Sequence, residues 1–251
     1  MPKFFVKQNQ IKNDKVLIEG QDVKHIQKVL RAQVGQELEI CNSETGDNYL
    51  CDIEEFNERE ILCKIIRKTE KVTESNIKVT VFQGLPKADK MEYIIQKSVE
   101  LGVYDITPVE MKRCVVKLDE KDKSKKIIRW QKISEVAAKQ CGRDLIPNIN
   151  DIINIKKLSE IISDYDVVLV AYENEEKNTL KEELNNIKEN INKDKQIKIG
   201  IVIGPEGGLE EQDVKKLNEN GAKVITLGKR ILRTETVALN MLSIIMYELD
   251  G

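Results

Sequence analysis

From Ile77 onward the chain keeps one rhythm, and that rhythm restricts the folds open to it. Short apolar runs of five to nine residues alternate with segments of helical period. IKVTVFQGL (77–85) leads into ADKMEYIIQKSVELGV (88–103), and ITPVEM (106–111) into SKKIIRWQKISEVAAKQCGR (124–143). YDVVLVAY (165–172) leads into TLKEELNNIKENINK (179–193), and IKIGIVIG (197–204) into LEEQDVKKLNENG (209–221). VITLG (224–228) leads into a last helix, TETVALNMLSIIMYEL. Continuous apolar runs are strands covered on both faces, and strand–helix alternation gives a largely parallel α/β sheet. Thr234 is the expected N-cap of the last helix, with Glu235 complementing the dipole in its first turn. That helix is apolar nearly all round and is expected to be buried on more than one side.

Before residue 77 the pattern differs. KFFV, KVLIE, QELEIC, NYLCDIEEF and REILCKIIRK read as five short strands, with a turn at NSETGD that holds Gly46. VKHIQKVLRAQ reads as one short helix capped by Asp22 and closed by Gly35. Five strands and one helix in this length suggest a small closed β-barrel. The polar stretch TEKVTESN (69–76) breaks the apolar pattern. The division is a barrel domain over 1–70, a linker over 71–76 and an α/β domain over 77–251.

The opening MPKFFVKQNQ has no apolar core of a signal peptide, and the last helix is short of a membrane span. Cysteines 41, 51, 63, 114 and 141 form no CxxC pair, and His25 is the only histidine. A metal-free, reduced, cytoplasmic protein with no membrane partner is expected. Net charge is −2, yet residues 112–143 hold eleven Lys and Arg against four Asp and Glu. A local basic stretch in an acidic chain suggests a site, not indiscriminate coating of nucleic acid.

Loops that follow parallel strands gather at one edge of the sheet, where such sheets bind ligands. Three loops are of interest: VAYENEE, IGPEGGLEE (203–211) and LGKRILRTET (227–236). IGPEGGLEE lacks the lysine and hydroxyl of a phosphate loop and the spacing of the dinucleotide fingerprint. Its Glu206, with Glu210, Glu211 and Asp213 behind, would repel an anion and suits a neutral or cationic ligand. By itself the loop is a tight turn; three loops together make a site.

IGPEGG paired with LGKRILRTET resembles the knotted, S-adenosylmethionine-dependent RNA methyltransferases of the SPOUT superfamily. With HIQKVLR (25–31), KADKMEYIIQKSVELGV (87–103), ITPVEMKR (106–113) and WQKISEVAAKQCGR (130–143), it is similar to the small-subunit RNA methyltransferase E family. That family methylates N3 of a uridine in 16S ribosomal RNA. The pattern departs at Cys141–Gly142, where a serine-type small residue is usual, and at Val237, where alanine is usual; neither removes a charged group. The resemblance implies an α/β C-terminal domain with a trefoil knot, a PUA-like barrel in front, and a homodimer packed through the knots. It implies 16S RNA, within the assembled small subunit, as partner. It also implies that Val170, Ala171, Tyr172, Ile203, Gly204, Pro205, Gly207, Gly208, Leu227, Gly228, Ile231, Leu232 and Arg233 surround the cofactor.

Uridine N3 is an imide nitrogen and becomes a nucleophile only when its proton leaves. Negative charge then gathers on the flanking carbonyls, where an arginine stabilises it as an oxyanion hole does. Arg233 is the first candidate and Arg143 the second; Glu206 is either the base or a residue that orients its loop. His25, Arg31, Lys87, Lys90, Arg113 and Arg143 are candidates for RNA contacts, which position the chain without specifying sequence. His25 has packing in its own helix as the competing role. Two other readings share the fold: methylation of a ribose 2′-hydroxyl or a guanine of rRNA or tRNA, and a non-enzymatic, RNA-binding ribosome-assembly factor that has lost cofactor binding. The barrel ahead of VKHIQKVLR favours the uridine reading over the first. Glycines 204, 207, 208 and 228, together with Arg233, weigh against the second.

Overall fold

The computed structural model describes residues 3–70, 73–190 and 195–250, so the linker positions Lys71 and Val72 and the predicted helix end at 191–193 lie outside the described residues. Two compact units emerge. One comprises residues 1–74 together with 138–146; the other comprises 75–137 and 147–251.

The first unit is built on strands β1 (Lys3–Val6), β2 (Ile11–Lys12), β3 (Lys15–Glu19), β4 (Glu37–Asn42), β5 (Asn48–Phe56) and β6 (Glu60–Thr69). They pair in the order β1-β4-β5-β6-β3-β2, and β1–β4 is the one parallel pair. No ladder joins β1 to β2 among the described residues, so the sheet is an open, curled half-barrel rather than the closed barrel expected. Two register shifts, at Leu50/Cys51 and Ile53/Glu55, bend β5 as bulges do. Alternate residues of each strand point inward, and Val16, Ile18, Leu38, Ile40, Ile53 and Ile61 form the core. Burial pushes the Cys51 and Cys63 thiols up to about 12, so both behave as small apolar side chains.

The helix here is shorter than its apolar pattern suggests. Helix α1 covers Gln21–Lys24 and continues as a single π-helical turn, His25–Val29. Gly20, at φ 75°, holds the N-cap position and Asp22 lies inside the first turn, so Asp22 is not the cap. Its carboxylate is held instead by Lys139 Nζ at 2.9 and 3.1 Å. The segment 138–146 is locked to this unit through Asp144, which is 1 % exposed. The Asp144 carboxylate accepts from Lys3 Nζ, Asn48 Nδ2 (2.6 Å) and Thr73 N–H (3.1 Å).

The second unit contains the parallel sheet. Its strands are β7 (Ile77–Gly84), β8 (Asp105–Glu110), β9 (Asn148–Ile149), β10 (Ile153–Asn154), β11 (Val167–Ala171), β12 (Ile197–Ile203) and β13 (Lys223–Ile225). The order is β10-β8-β7-β12-β11-β13, with β9 also on β8, and every pair is parallel. Helices α2 (Lys90–Glu100), α3 (Glu120–Cys141), α5 (Leu180–Asn190), α6 (Glu211–Glu219) and α7 (Thr234–Leu249) follow the predicted segments, and α4 (Ile155–Glu160) is an addition. Strands β9 and β10 and helix α4 were invisible to periodicity because each is too short to show a period. Beyond β13, Thr226 adds only a bridge to Thr179.

Helix α7 buries one stripe, Ala238, Met241, Leu242 and Ile245, and not several sides. Val237, Leu239 and Ile244 stay half-buried and Tyr247 is exposed. Among the described residues no helix is long and apolar enough to cross a membrane.

Candidate active site

Because all strands run the same way, the loops after β7, β8, β11, β12 and β13 leave one edge of the sheet. They are tied to each other by specific bonds. After β11, Tyr172 N–H donates to Ile225 O (3.1 Å) and its carbonyl accepts from Glu175 N–H (3.2 Å). Glu175 Oε1 then accepts three successive backbone N–H groups, from Glu176, Lys177 and Asn178. Those bonds hold its carboxyl below the ordinary range, those from Asn178 and Lys177 first. Asn178 completes the junction by donating to Val224 O (2.9 Å).

After β12 the chain doubles back through Gly204–Glu210, closed by Gly208 N–H to Pro205 O at 2.9 Å. Glycine is needed here for space. A Cβ on Gly204 would stand 2.9 Å from the Gly208 carbonyl carbon, and one on Gly208, at φ 70°, would land on the Glu173 carboxylate. Arg113 anchors the same loop, donating from Nη1 to Gly207 O at 3.0 Å. Glu206 reaches the start of α2: it accepts from Lys87 N–H (3.1 Å) and pairs with Lys90 Nζ (3.0 Å), which also meets Glu235 (3.3 Å). Burial pushes the Glu206 carboxyl up, but the Lys90 and backbone hydrogen bonds and the Lys90 charge outweigh it and hold it below the ordinary range. A carboxylate so held is a poor proton acceptor. The ties to Lys87 N–H and Lys90 fix the loop against the start of α2, the orienting one of its two candidate roles.

The last loop, 226–233, turns at Gly228 (φ 99°) and carries Ile231, 87 % exposed, with Leu232 half-buried. Arg233 occupies the N-cap position of α7. Thr234 is therefore not the cap. It is buried, its hydroxyl donates to Gly204 O (2.7 Å), and it accepts from Gln83 Nε2 (2.8 Å). A partner fixed in the core outcompetes a solvent-facing cap, and the consequence is positional: Arg233 directly precedes the residue bonded to Gly204 O, which fixes its backbone at this edge. Its side chain is exposed and, among the described residues, has no hydrogen-bond or ion-pair partner.

The remaining candidates divide. Arg31 (φ 51°) and His25 are exposed in the first unit, with the His25 ring edge-on to Phe4 at 6.1 Å. Lys87 is exposed in the second unit, whereas Lys90 is held by two glutamates. Arg143 is withdrawn from both its roles. It is 6 % exposed and its Nε pairs with Glu74 Oε1 at 3.2 Å inside the first unit. A buried guanidinium engaged by a carboxylate has a structural task. The motif AAKQCGR thus fastens residues 138–146 to the half-barrel; the sequence signal that could have told this is Asp144, directly after it. Gln83 and Thr234 were missed as site-builders because a glutamine inside an apolar strand has no local signature.

A parallel sheet with glycine and arginine loops at one edge in one unit, and a curled half-barrel in the other, is the architecture of an RNA methyltransferase carrying a PUA domain. The RNA methyltransferase domain model matches residues 73–246, and the RNA methyltransferase PUA domain model matches 18–66. The chain is 39 % identical to the ribosomal RNA small subunit methyltransferase E of Bacillus subtilis, over 93 % of this chain and 90 % of that one. The chain belongs to the ribosomal RNA small subunit methyltransferase E family. The crystal structure of a member from Neisseria gonorrhoeae bound to S-adenosyl methionine superposes with a TM-score of 0.83 at 28 % identity, covering 98 % of this chain and 97 % of that one. A methyltransferase from Legionella pneumophila in complex with the cofactor SAM gives 0.80 at 26 %, covering 98 % and 96 %.

Proposed function

We propose that this chain transfers the methyl group of S-adenosylmethionine to N3 of a uridine in 16S ribosomal RNA. The residues present fit the cofactor. Glu173, exposed at the end of β11, suits a sulfonium cation, while Glu206 and Glu235 are neutralised by Lys90. Gly228 has no atom within 4 Å of where a Cβ would stand, and Ile231 and Leu232 beside it offer apolar walls. Leu227, Gly228, Ile231 and Leu232 would hold it, with Val170, Ala171, Ile203, Pro205 and Gly207 framing the strand ends. Tyr172 and Gly204 contribute by fixing the loops, since the Tyr172 amide and the Gly204 carbonyl are engaged within the protein. When bound, the cofactor supplies an electrophilic methyl carbon.

The observation that carries the reading is Arg233, an exposed guanidinium without a partner among the described residues, whose backbone is fixed at the strand ends because its neighbour Thr234 is bonded to Gly204 O. There it would stabilise charge on the imide carbonyls as the N3 proton leaves. Arg31, Lys87 and Arg113 would contact RNA phosphates, within the small subunit. A trefoil knot and a homodimer through α7 complete the proposal; the half-buried Val237, Leu239 and Ile244 and the exposed Tyr247 support a second chain on that helix. The test is mass spectrometry of nucleosides from the 16S RNA of small ribosomal subunits incubated with the protein and S-adenosylmethionine. The expected product is 3-methyluridine, formed about 10²–10³-fold more slowly with Arg233→Ala; a methylated ribose or guanine in its place would overturn the reading.

A further inference from the structure

Strand β7 lies beside β12, so the loop that leaves β7 adjoins the glycine loop, and Lys87 N–H to Glu206 joins the two. Next to this junction is a cavity of about 180 Å³, walled by Leu85, Pro86, Met91 and Trp130, with Asp89 and Lys126 as its charged members. Ligand pockets for drug-sized molecules begin near ~300 Å³, so this one suits a single ring rather than a nucleoside.

Three features of the rim point to a ligand. Ala88 is held at φ 52°, in a region a residue with a side chain rarely adopts. Asp89, exposed at the N-cap position of α2, leaves its carboxylate open at the cavity mouth: it makes no capping bond and has no partner among the described residues. Lys126 Nζ stands 6.0 Å from the centroid of the Trp130 ring, a cation over an aromatic wall. An acceptor, a donor and the accessible part of the buried Trp130 ring (4 % exposed) in a one-ring cavity match the edge of uracil, whose N3–H donor is flanked by two carbonyl acceptors. Enzymes that modify a base take it into such a pocket and read it by stacking and by its Watson–Crick edge.

We propose that this cavity seats the pyrimidine ring of the uridine to be methylated, and that Asp89 accepts the N3 proton; this rests on the uridine reading above. The N3–H bond breaks toward the Asp89 carboxylate. The electron pair left on N3 forms the bond to the donated methyl carbon, whose bond to sulfur breaks with its pair kept by sulfur. The carboxyl then releases the proton to water. Lys126 would face a carbonyl of the ring, and Arg233 the charge that builds on the other side.

Trp130 is the only tryptophan in the chain, so its emission reports on the cavity directly. The wild-type protein is titrated with oligouridylate and with an abasic oligonucleotide of equal length, each labelled so that binding is read by anisotropy. The expected result is quenching by oligouridylate and none by the abasic strand at equal occupancy. Equal emission changes with both strands would overturn the seat, and a wild type that still forms 3-methyluridine would leave the reaction reading intact. Asp89→Asn is expected to keep the uridine-specific quench and KM while kcat falls about 100-fold. A kcat within twofold of wild type would remove Asp89 as the proton acceptor. Uridine-specific quenching with a different methylated nucleoside as product would overturn the reaction reading and Asp89's role with it.

Discussion

Two loops leave the parallel sheet at the same edge and are built in opposite ways. Gly204–Glu210 is tied at nearly every residue: Gly204 O to Thr234, Pro205 O to Gly208, Glu206 to Lys87 and Lys90, Gly207 O to Arg113, and Glu210 to Lys112 at 2.8 Å. The other loop is held at its ends, where Thr226 N–H donates to Asn178 O (2.8 Å) and Arg233 O accepts the first amides of α7. Between them, among the described residues, the one tie is Gly228 N–H to Thr226 Oγ1 at 3.2 Å, and Ile231 and Arg233 are left exposed. The glycine loop is the more recognisable motif in the sequence, yet its polar groups are consumed in holding position. The less regular loop presents its side chains outward. In this site the conspicuous motif is the frame, and the residues free to meet a ligand lie in its neighbour.

That contrast is sharpest at Arg233. Arg233→Ala removes a guanidinium with no structural partner, so methyl transfer is expected to fall about 10²–10³-fold, as for loss of one oxyanion-hole donor. The thermal midpoint should stay unchanged. Single-turnover rates alongside thermal unfolding decide it; parallel loss of both would mean that Arg233 belongs to the frame.

The glycines offer the next test. Gly204→Ala forces a Cβ to 2.9 and 3.0 Å from backbone atoms of Gly208 and Leu209, which cannot rotate away. A cost of about 3 kcal/mol is expected. Gly228→Ala meets no atom within 4 Å and costs only the strain of its positive φ, about 1–2 kcal/mol. Urea midpoints of the two variants should therefore differ, and equal losses would erase the distinction between the loops.

Thr234→Val probes the link between the loops. It deletes the donor to Gly204 O and the acceptor for Gln83, a residue whose Oε1 is already buried without a partner. A loss of about 1–3 kcal/mol in urea unfolding is expected. Arg233 would also drift from Gly204, so catalysis should weaken more than cofactor binding, read by calorimetry.

Local period and turn chemistry carry the sheet, its long helices and the set of loops that converge, because an element of ten residues states its period in the sequence. Short elements do not: β9, β10 and α4 are each six residues or fewer and are fixed by what they pack on. Capping assignments at Asp22 and Thr234 failed for one reason. A cap is a local bond, and in both places a distant partner, Lys139 or Gly204, makes a better-placed one. Arg143 failed the same way, since a basic residue in a basic stretch looks solvent-facing until Glu74 is found beside it. Residues of the site defined by long-range pairing were thus beyond a reading of the chain, while those on exposed loops were within it.

The smallest effect concerns Glu206, whose folded-state carboxyl lies below its ordinary value because hydrogen bonds from Lys90 and Lys87 and the Lys90 charge outweigh burial. A depressed carboxyl stabilises the folded state above the unfolded value, ~4.3 for glutamate, and loses that contribution as pH falls through the lower folded value. The group is partly exposed and screened, so removing the charge with Glu206→Gln should cost less than about 1 kcal/mol at neutral pH. The gap between the urea midpoints of wild type and variant should close as pH is lowered through the carboxylate range. A gap that persisted into acid would mean that shape, not charge, ties the glycine loop to α2, and the frame would then rest on its glycines alone.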